Sequence, residues 1–249
     1  MLNYGNLTWT AVEEAAKADP KPRIILPVGS IEQHGPHLPL NTDSIIAEHV
    51  AVAVSDKLSS ILFPTLSVGF SLEQTGFPGT ISFTAQTFSS MIIEIVEHLY
   101  VSGFKKIIII NGHGGNRAIL DSTITTIKHT HPDIQLYAFT IIDVAKERYN
   151  ELRKSSQQMI GHADELETSM MLVIRPELVE MGRTLSEKPT FPPNVSLESD
   201  DLARVTYAWK TKQVTQSGII GSPNLATREM GRILLDYVIE TISRIVENG

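Results

Sequence analysis

The chain has 249 residues, 42% of them hydrophobic, and a formal net charge of -7. This length supports a sizeable core, and since no change in composition divides the chain, we expect a single domain over residues 1–249. The negative charge argues against a nucleic-acid partner, because it leaves no basic surface for a polyanion. The absence of cysteine excludes disulfides and thiolate chemistry, so a metal site here must use histidine and carboxylate ligands.

The start of the sequence and its apolar stretches bear on location. Residues 1–6 contain no basic segment followed by an apolar one. No later stretch approaches the roughly 20 apolar residues that a membrane-spanning helix needs. We therefore expect a cytoplasmic protein with no membrane partner.

Apolar runs alternate with segments of helical periodicity. The apolar runs lie at residues 24–28, 61–63, 105–110 and 134–142. The helical segments lie at residues 44–58, 87–102, 116–130, 144–154, 164–173 and 228–246. Asp43 or Ser44 is available as the N-cap of the first helix. The alternation predicts an α/β fold with a mostly parallel sheet that is covered by helices on both faces.

Two segments are less regular. Residues 67–83 are rich in glycine, serine and threonine and predict a long active-site loop. Glu73, Gln74 and Thr80 could contact polar groups of a substrate, although packing within the loop is the favoured interpretation for any single residue. Residues 182–227 have weak periodicity and are expected to form a cap or a subunit contact.

The sequence GSIEQHGPHLPL (29–40) directly follows the first apolar run, and Thr42 and Asp43 come soon after it. Its glycines and prolines prevent regular structure in a segment rich in ionisable groups. Polar loops that follow buried strands are where α/β proteins keep their ligand sites. Glu32, His34 and Asp43 are therefore candidate ligands of a catalytic metal.

The sequence NGHGGN (111–116) follows the second long apolar run. Its glycines allow a sharp turn and a close approach of the backbone to a ligand, and His113 is presented at the carboxyl end of the strand. Two alternatives stay open. One is a phosphate-binding loop, which is disfavoured because the P-loop lysine is absent. The other is a tight turn with a hydrogen-bonded histidine.

The third motif, GHADELETSMML (161–172), places His162 at the start of a predicted helix. An acidic residue in a first turn has an ordinary explanation, because it complements the helix dipole, and Glu165 fits this explanation. Glu167 is different, since it shares a face with Met170 and Met171. A carboxylate on a buried face needs a cation or a hydrogen-bond donor, and a metal would supply the cation.

Taken in order, these three motifs resemble the signature blocks of the creatininase (creatinine amidohydrolase) family over roughly residues 5–180. The resemblance implies a three-layer α/β/α sandwich, a pair of divalent metals, hydrolysis of carbon–nitrogen bonds other than peptide bonds in small cyclic or linear amides, and a homohexamer. It also implies that Glu32 and His113 hold one metal and His34 the other, and that Asp43 bridges the two.

One position departs from the pattern. True creatininases resemble Asn-Gly-His-Tyr-Glu-Asn at the second motif, whereas this chain has Gly115 in place of that glutamate. We expect Glu167 to be the substitute ligand. Trp9 and Trp209 lie near no motif, so the tryptophans that cover creatinine have no counterpart. The resemblance is thus to the Gly-Gly branch of the family, whose other members deformylate a formylaminopyrimidine nucleotide, cleave a peptide precursor of a redox cofactor or open a keto-inositol ring.

These groups predict a mechanism in which two divalent ions, zinc first and manganese or iron as alternatives, share a bridging hydroxide that attacks the substrate carbonyl. His162 would act as general base or hydrogen-bond donor and then protonate the leaving nitrogen. His37 is expected to hydrogen-bond a ligand carboxylate. Glu73 and Asn116 are expected either to contact the metal-ligating side chains or to face the substrate.

The sequence favours two other functional classes less. A non-enzymatic member that keeps the fold to bind a ligand is less favoured, because all five candidate metal ligands are present. Metal-assisted phosphoester hydrolysis is disfavoured, because Arg117 is the one arginine that adjoins a motif.

Overall fold

The computed structural model describes residues 2–156, 160–191 and 208–249. Its strands are β1 (Leu2–Asn3), β2 (Ile24–Val28), β3 (Ile61–Leu62), β4 (Lys106–Asn111) and β5 (Gln135–Thr140). Its α-helices are α1 (Trp9–Lys17), α2 (Thr42–Lys57), α3 (Ala85–Val101), α4 (Arg117–Thr130), α5 (Ile141–Leu152), α6 (Glu165–Ile174), α7 (Thr211–Val214) and α8 (Arg228–Asn248).

The described strands form one sheet in the order β1-β3-β2-β4-β5, and every pairing is parallel. The chain leaves β2 toward β3 on one side and later returns to β4 on the other side. β2 and β4 therefore flank the point at which the strand order reverses, and Val28 is paired with Asn111 at their carboxyl ends. Ligands of open α/β sheets bind at such a point.

The sheet has an apolar core on each face. Ile25, Ile108 and Ile110 belong to the core that α2, α5, α6 and α8 cover. Ile24 and Ile107 belong to the other core, which contains apolar residues of α3 and α4 and against which residues of α1 pack. Because side chains alternate along a strand, consecutive isoleucines stabilise opposite faces. The predicted α/β fold with helices on both faces is confirmed.

The start of α2 differs from the prediction. The N-cap is Asn41, which makes no side-chain capping bond, and the helix begins at Thr42. Asp43 is inside the first turn, and its carboxylate receives hydrogen bonds from other elements instead of capping its own helix. The prediction of Asp43 or Ser44 as N-cap is therefore wrong.

The structure contains two elements near the start of the chain that the sequence did not predict. β1 and α1 precede the first strand predicted from the sequence, and α1 contains no fully buried residue.

Of the predicted cap or subunit contact at residues 182–227, residues 192–207 lie outside the described residues. The flanking parts pair with each other, since Glu187 bridges to Gly221. No helix among the described residues is long and apolar enough to cross a membrane.

We expect Gly231→Ala to lower the free energy of unfolding by about 1–3 kcal/mol, because α8 and α6 pack at this glycine. A Cβ atom there would lie 1.9 Å from the carbonyl oxygen of Ser169, and backbone cannot easily move away. Urea unfolding measures the change. Gly182→Ala is the control, since a Cβ at Gly182 has nothing within 4 Å. Equal stability of the two variants would contradict the close packing.

Candidate metal centre

The predicted ligands converge at the carboxyl ends of β2 and β4. Glu32 and His34 lie in the loop after β2, Asp43 lies in the first turn of α2, and His113 follows β4. Glycine permits the close approach of these elements, because a Cβ at Gly112 would lie 2.2 Å from the carbonyl oxygen of Asp43. The first turn of α2 is thereby held directly against the end of β4.

Asp43 lies between the other ligands. Ser30 Oγ donates a hydrogen bond of 2.6 Å to Asp43 Oδ2. His34 Nε2 lies 3.1 Å from Asp43 Oδ1, and His113 Nδ1 lies 3.0 Å from Asp43 Oδ2. Each oxygen of this buried carboxylate thus faces a different histidine, as a group shared between two adjacent sites would.

Glu167 joins the site from the first turn of α6. Its Oε2 accepts a hydrogen bond of 2.6 Å from the backbone N–H of Ala163, and its Oε1 lies 3.9 Å from His34 Nε2. The side chain is almost fully buried. Glu167 therefore faces the same ring nitrogen of His34 as Asp43 does.

Glu32 is fully buried, and neither of its carboxylate oxygens has a hydrogen-bond partner among the described residues. The closest histidine nitrogens to its carboxylate are His113 Nε2 at 3.2 Å and His162 Nδ1 at 3.6 Å. A buried carboxylate without hydrogen bonds is costly unless a cation neutralises it. The position of Glu32 therefore fits a bound metal ion.

Each of the three site histidines faces a backbone carbonyl with one ring nitrogen. His34 Nδ1 lies 3.2 Å from the carbonyl oxygen of Glu32, and His162 Nε2 lies 2.7 Å from that of Gln33. His113 Nε2 lies 2.9 Å from the carbonyl oxygen of Phe70. A carbonyl only accepts, so these nitrogens carry the hydrogen. The other nitrogen of each ring faces a carboxylate, and such carbonyl partners typically orient histidine ligands of metals.

The pKa values show how strongly the carboxylates and imidazoles interact. Burial raises the pKa of Glu32 to about 7, although the charge of His113 opposes this shift. Burial alone would lower the pKa of His113, but Glu32 and Asp43 outweigh it and raise the value to about 10. For Asp43, the charge of His34 and the hydrogen bonds from both histidines outweigh burial and hold the pKa far below its usual range. A cation between these groups is thus favourable, and without a metal the proton fills that place.

The pKa of His162 is shifted in the opposite direction to that of His113. Burial, together with the charge of His34, lowers the pKa of His162 to about 4. Burial is the larger of these two causes. The ring of His162 lies 4.5 Å from that of His34, measured between centroids.

Three groups of described side chains place their ligand atoms within 4.8 Å of one another. They are Glu32 with Asp43 and His113, His34 with Asp43 and Glu167, and Glu32 with His34 and His162. The first two groups contain the five predicted metal ligands and share Asp43. All donors are nitrogen or oxygen atoms, which suit zinc, manganese and iron. The residues present therefore fit divalent metal ions.

The remaining predicted site residues have separate positions. His37 Nε2 bonds Thr168 Oγ1 at 2.9 Å, so the predicted bond to a ligand carboxylate is wrong; the partner is the hydroxyl that follows Glu167. Asn116 donates to the carbonyl of Gly29 and accepts from Phe70 N–H, and so connects three loops. Glu73 Oε1 lies 3.6 Å from His113 Nε2.

Some residues that shape the site were missed in the sequence. The Ser30 hydroxyl donates a hydrogen bond to Asp43. The Ser71 hydroxyl forms a hydrogen bond with His113 Nε2. Ser30 could have been found, because it lies between β2 and Glu32. Gln33 could not, because its side chain donates to the carbonyl of Gly218, which is distant in sequence. His162 likewise pairs through its backbone with Ile220, so the segment after α7 forms one wall of the site.

Gly115, where the sequence departs from the pattern expected of creatininases proper, is closely packed. A Cβ at this position would lie 2.4 Å from His113 Nε2 and 2.6 Å from the carbonyl oxygen of Phe70. A side chain at position 115 would therefore displace a predicted ligand in this structure. Glu167, from the first turn of α6, is a glutamate that does lie near His34.

The fold and the ligand set identify an α/β enzyme that can bind metal at the carboxyl edge of a parallel sheet. A model of the creatininase (creatinine amidohydrolase) family matches residues 5–246, and the chain belongs to this family of hydrolases. The family that the sequence motifs predicted is confirmed.

Several known proteins are similar along most of the chain. Creatinine amidohydrolase from Pseudomonas putida is 26% identical over 96% of this chain and 94% of its own length. A mycofactocin precursor peptide peptidase from Mycobacterium ulcerans is 32% identical over 90% of this chain and 84% of its own. The crystal structure of creatininase and a mutant creatininase of Zn-Zn type each have a TM-score of 0.85 and 25% identity, covering 99% of this chain and 97% of theirs.

Two further relatives have other substrates. A 3-dehydro-scyllo-inosose hydrolase from Thermotoga maritima is 25% identical over 90% of this chain and 78% of its own. A formylaminopyrimidine nucleotide deformylase from Methanococcus maripaludis is 26% identical over 90% of both chains. The family therefore includes proteins that act on different compounds.

We expect Gly115→Ala to weaken metal binding, because the new methyl group collides with His113 and with backbone at Phe70. Gly114→Ala is the matched control, since a Cβ there meets only the end of the Ile142 side chain, at 3.3 Å. Competition with a chelator of known affinity measures the difference. Equal metal affinities of the two variants would show that position 115 does not constrain the ligand.

Proposed function

We propose that this protein is a dinuclear metal-dependent amidohydrolase that cleaves a carbon–nitrogen bond of a small cyclic or linear amide. The observation that carries the proposal is the buried pair of ligand groups that share Asp43. In one group Glu32 and His113 accompany Asp43, and in the other His34 and Glu167 do. Family membership supports the same chemistry.

The metals are proposed to be zinc, with manganese or iron as alternatives. Histidine nitrogen and carboxylate oxygen are usual zinc ligands, and a relative of Zn-Zn type has the same fold. When bound, a pair of divalent ions lowers the pKa of a shared water and polarises the substrate carbonyl. Asp43, Glu32 and Glu167 offset most of the four positive charges, which leaves a surplus to stabilise developing negative charge.

The protein groups have distinct tasks in this proposal. His34, His113 and Glu32 hold their ligand atoms in place through the backbone contacts and burial described above. His162 presents Nδ1 toward Glu32 because its Nε2–H is committed to the carbonyl of Gln33. This nitrogen can accept a proton from the attacking water and return it to the leaving nitrogen.

Glu167 is proposed as the ligand that replaces the glutamate missing at position 115. The proximity of Glu167 to His34 supports this role. Gly115 also supports assignment to the Gly-Gly branch and a substrate other than creatinine. Alternative substrates are those of the relatives, a formylaminopyrimidine nucleotide, a precursor peptide or a keto-inositol. The precursor peptide is favoured among these substrates, because the peptidase from Mycobacterium ulcerans is 32% identical to this chain.

The expected partner is a small molecule, with the peptide substrate as the exception. The homohexamer that the family resemblance implies stays a prediction, and so does a role of residues 182–227 in capping the site or joining subunits. Part of that segment packs beside the site, as the pairing of Ile220 with His162 shows.

We expect the protein to bind about two divalent ions per chain and to hydrolyse at least one amide of a panel of formamides, cyclic ureides, lactams and short peptides. Chelation should abolish hydrolysis and lower the melting temperature, since ligands that bind the folded state stabilise it. Elemental analysis, calorimetry and product assays measure the three effects. Absence of bound metal after reconstitution with zinc, manganese or iron would refute the proposal.

We expect His162→Ala to lower kcat on the best substrate of that panel by about 10²–10⁴-fold, the usual contribution of acid–base catalysis. The metal content should be unchanged, because the five proposed ligands remain. His129→Ala, at an exposed position on α4, is the control and should keep full activity. Loss of metal from the His162 variant would instead make this residue a ligand.

A further inference from the structure

Glu73 is the most exposed of four carboxylates at the site. Its side chain is 26% exposed, whereas the three proposed carboxylate ligands are at most 9% exposed. Glu73 lies in a short 3-10 turn of the loop after β3, and its Oε1 lies 3.6 Å from His113 Nε2. Its carboxylate therefore borders the predicted ligands and is the one of the four that solvent reaches most.

Among the described residues, Glu73 forms its ion pair with His113 and with no lysine or arginine. It belongs to none of the groups of described side chains that could hold a metal. The hydrogen bond that its carboxylate accepts comes from its own backbone, whereas Glu167 accepts one from the backbone of Ala163 and Asp43 accepts one from Ser30. A carboxylate in this position is ready to accept hydrogen bonds from a bound molecule.

The loop holds Glu73 firmly in place. Ser71 N–H donates to Ser82 Oγ at 2.7 Å, and Gln74 Oε1 accepts from Gln33 Nε2 at 2.7 Å. The carboxylate also depends on Gly115, since a Cβ there would lie 3.0 Å from Glu73 Oε1. The missing side chain at position 115 thus provides the space that the Glu73 carboxylate occupies.

The charges around the site determine what this carboxylate can bind. The ion pairs of Glu73 and of the three ligand carboxylates are all with histidines in the described structure, and none is with lysine or arginine. Glu73 adds a fourth negative charge beside the three ligand carboxylates, so it would repel an anionic group of a substrate placed next to it. A cation or an N–H donor is the complementary partner.

We propose that Glu73 binds a cationic or N–H-rich group of the substrate beside the scissile carbon–nitrogen bond. The substrates would then be amides that carry an amine, amidine or guanidine group at this place, rather than a carboxylate or phosphate. This inference rests on the proposed amidohydrolase function, and it adds a residue that selects the substrate.

Acetamidinium and acetamide test the proposal, because they have the same shape and differ in charge. Zinc-loaded protein, with its zinc content measured first, is titrated with each probe by NMR. The wild-type protein should bind acetamidinium about 10-fold more tightly than acetamide, as expected for a charge-assisted hydrogen bond. Glu73→Gln should bind both probes equally and keep its zinc and its affinity for acetamide.

Glu247→Gln is the control, because it removes the same charge from an exposed position near the end of α8. This variant should keep the wild-type preference. Equal binding of the two probes by the wild-type protein, or a preference that persists in Glu73→Gln, would overturn the proposal. Loss of zinc from Glu73→Gln would do so too, since Glu73 would then be a ligand. Failure of the wild-type protein to bind zinc, manganese or iron would instead overturn the amidohydrolase function, and this inference with it.

Discussion

Buried negative charge at one edge of the sheet is the constraint on which the site depends. Asp43 and Glu32 are almost completely removed from water, and Glu167 is nearly so. Carboxylates so placed need counter-charges, and in the described structure histidines provide them. Asp43 matters most, because it contacts both halves of the site from the first turn of α2. The site therefore requires that α2 pack against β2 and β4, because this packing positions Asp43.

Much of the fold could be predicted from the sequence. β2 and β4 are apolar runs that are easy to recognise in the sequence. Central parallel strands are buried on both faces, so polar residues do not interrupt their apolar runs. β1 and β3 have two residues each, too few to show any periodicity. α1 was missed for a different reason, because it packs at the margin of the core and buries no residue fully.

The site was predictable where its residues lie in the loops that follow strands. The structure brings Glu32, His34, Asp43, His113 and Glu167 together from three separate motifs. What the sequence could not show is which group each side chain contacts. His37 bonds a threonine hydroxyl instead of a carboxylate, because Thr168 is the nearer polar group. Contacts of this kind depend on how α6 lies against the first loop, and local patterns carry no information on such distances.

The wall formed by the segment after α7 has a consequence for how the protein folds. Gln33 bonds Gly218 across 185 residues of sequence. Contacts between parts of a chain so far apart form slowly, because closing a long loop costs entropy. During synthesis on the ribosome, Glu32, His34 and Asp43 emerge long before this wall exists. The wall beside these residues can therefore form only after residues 218–220 have been made.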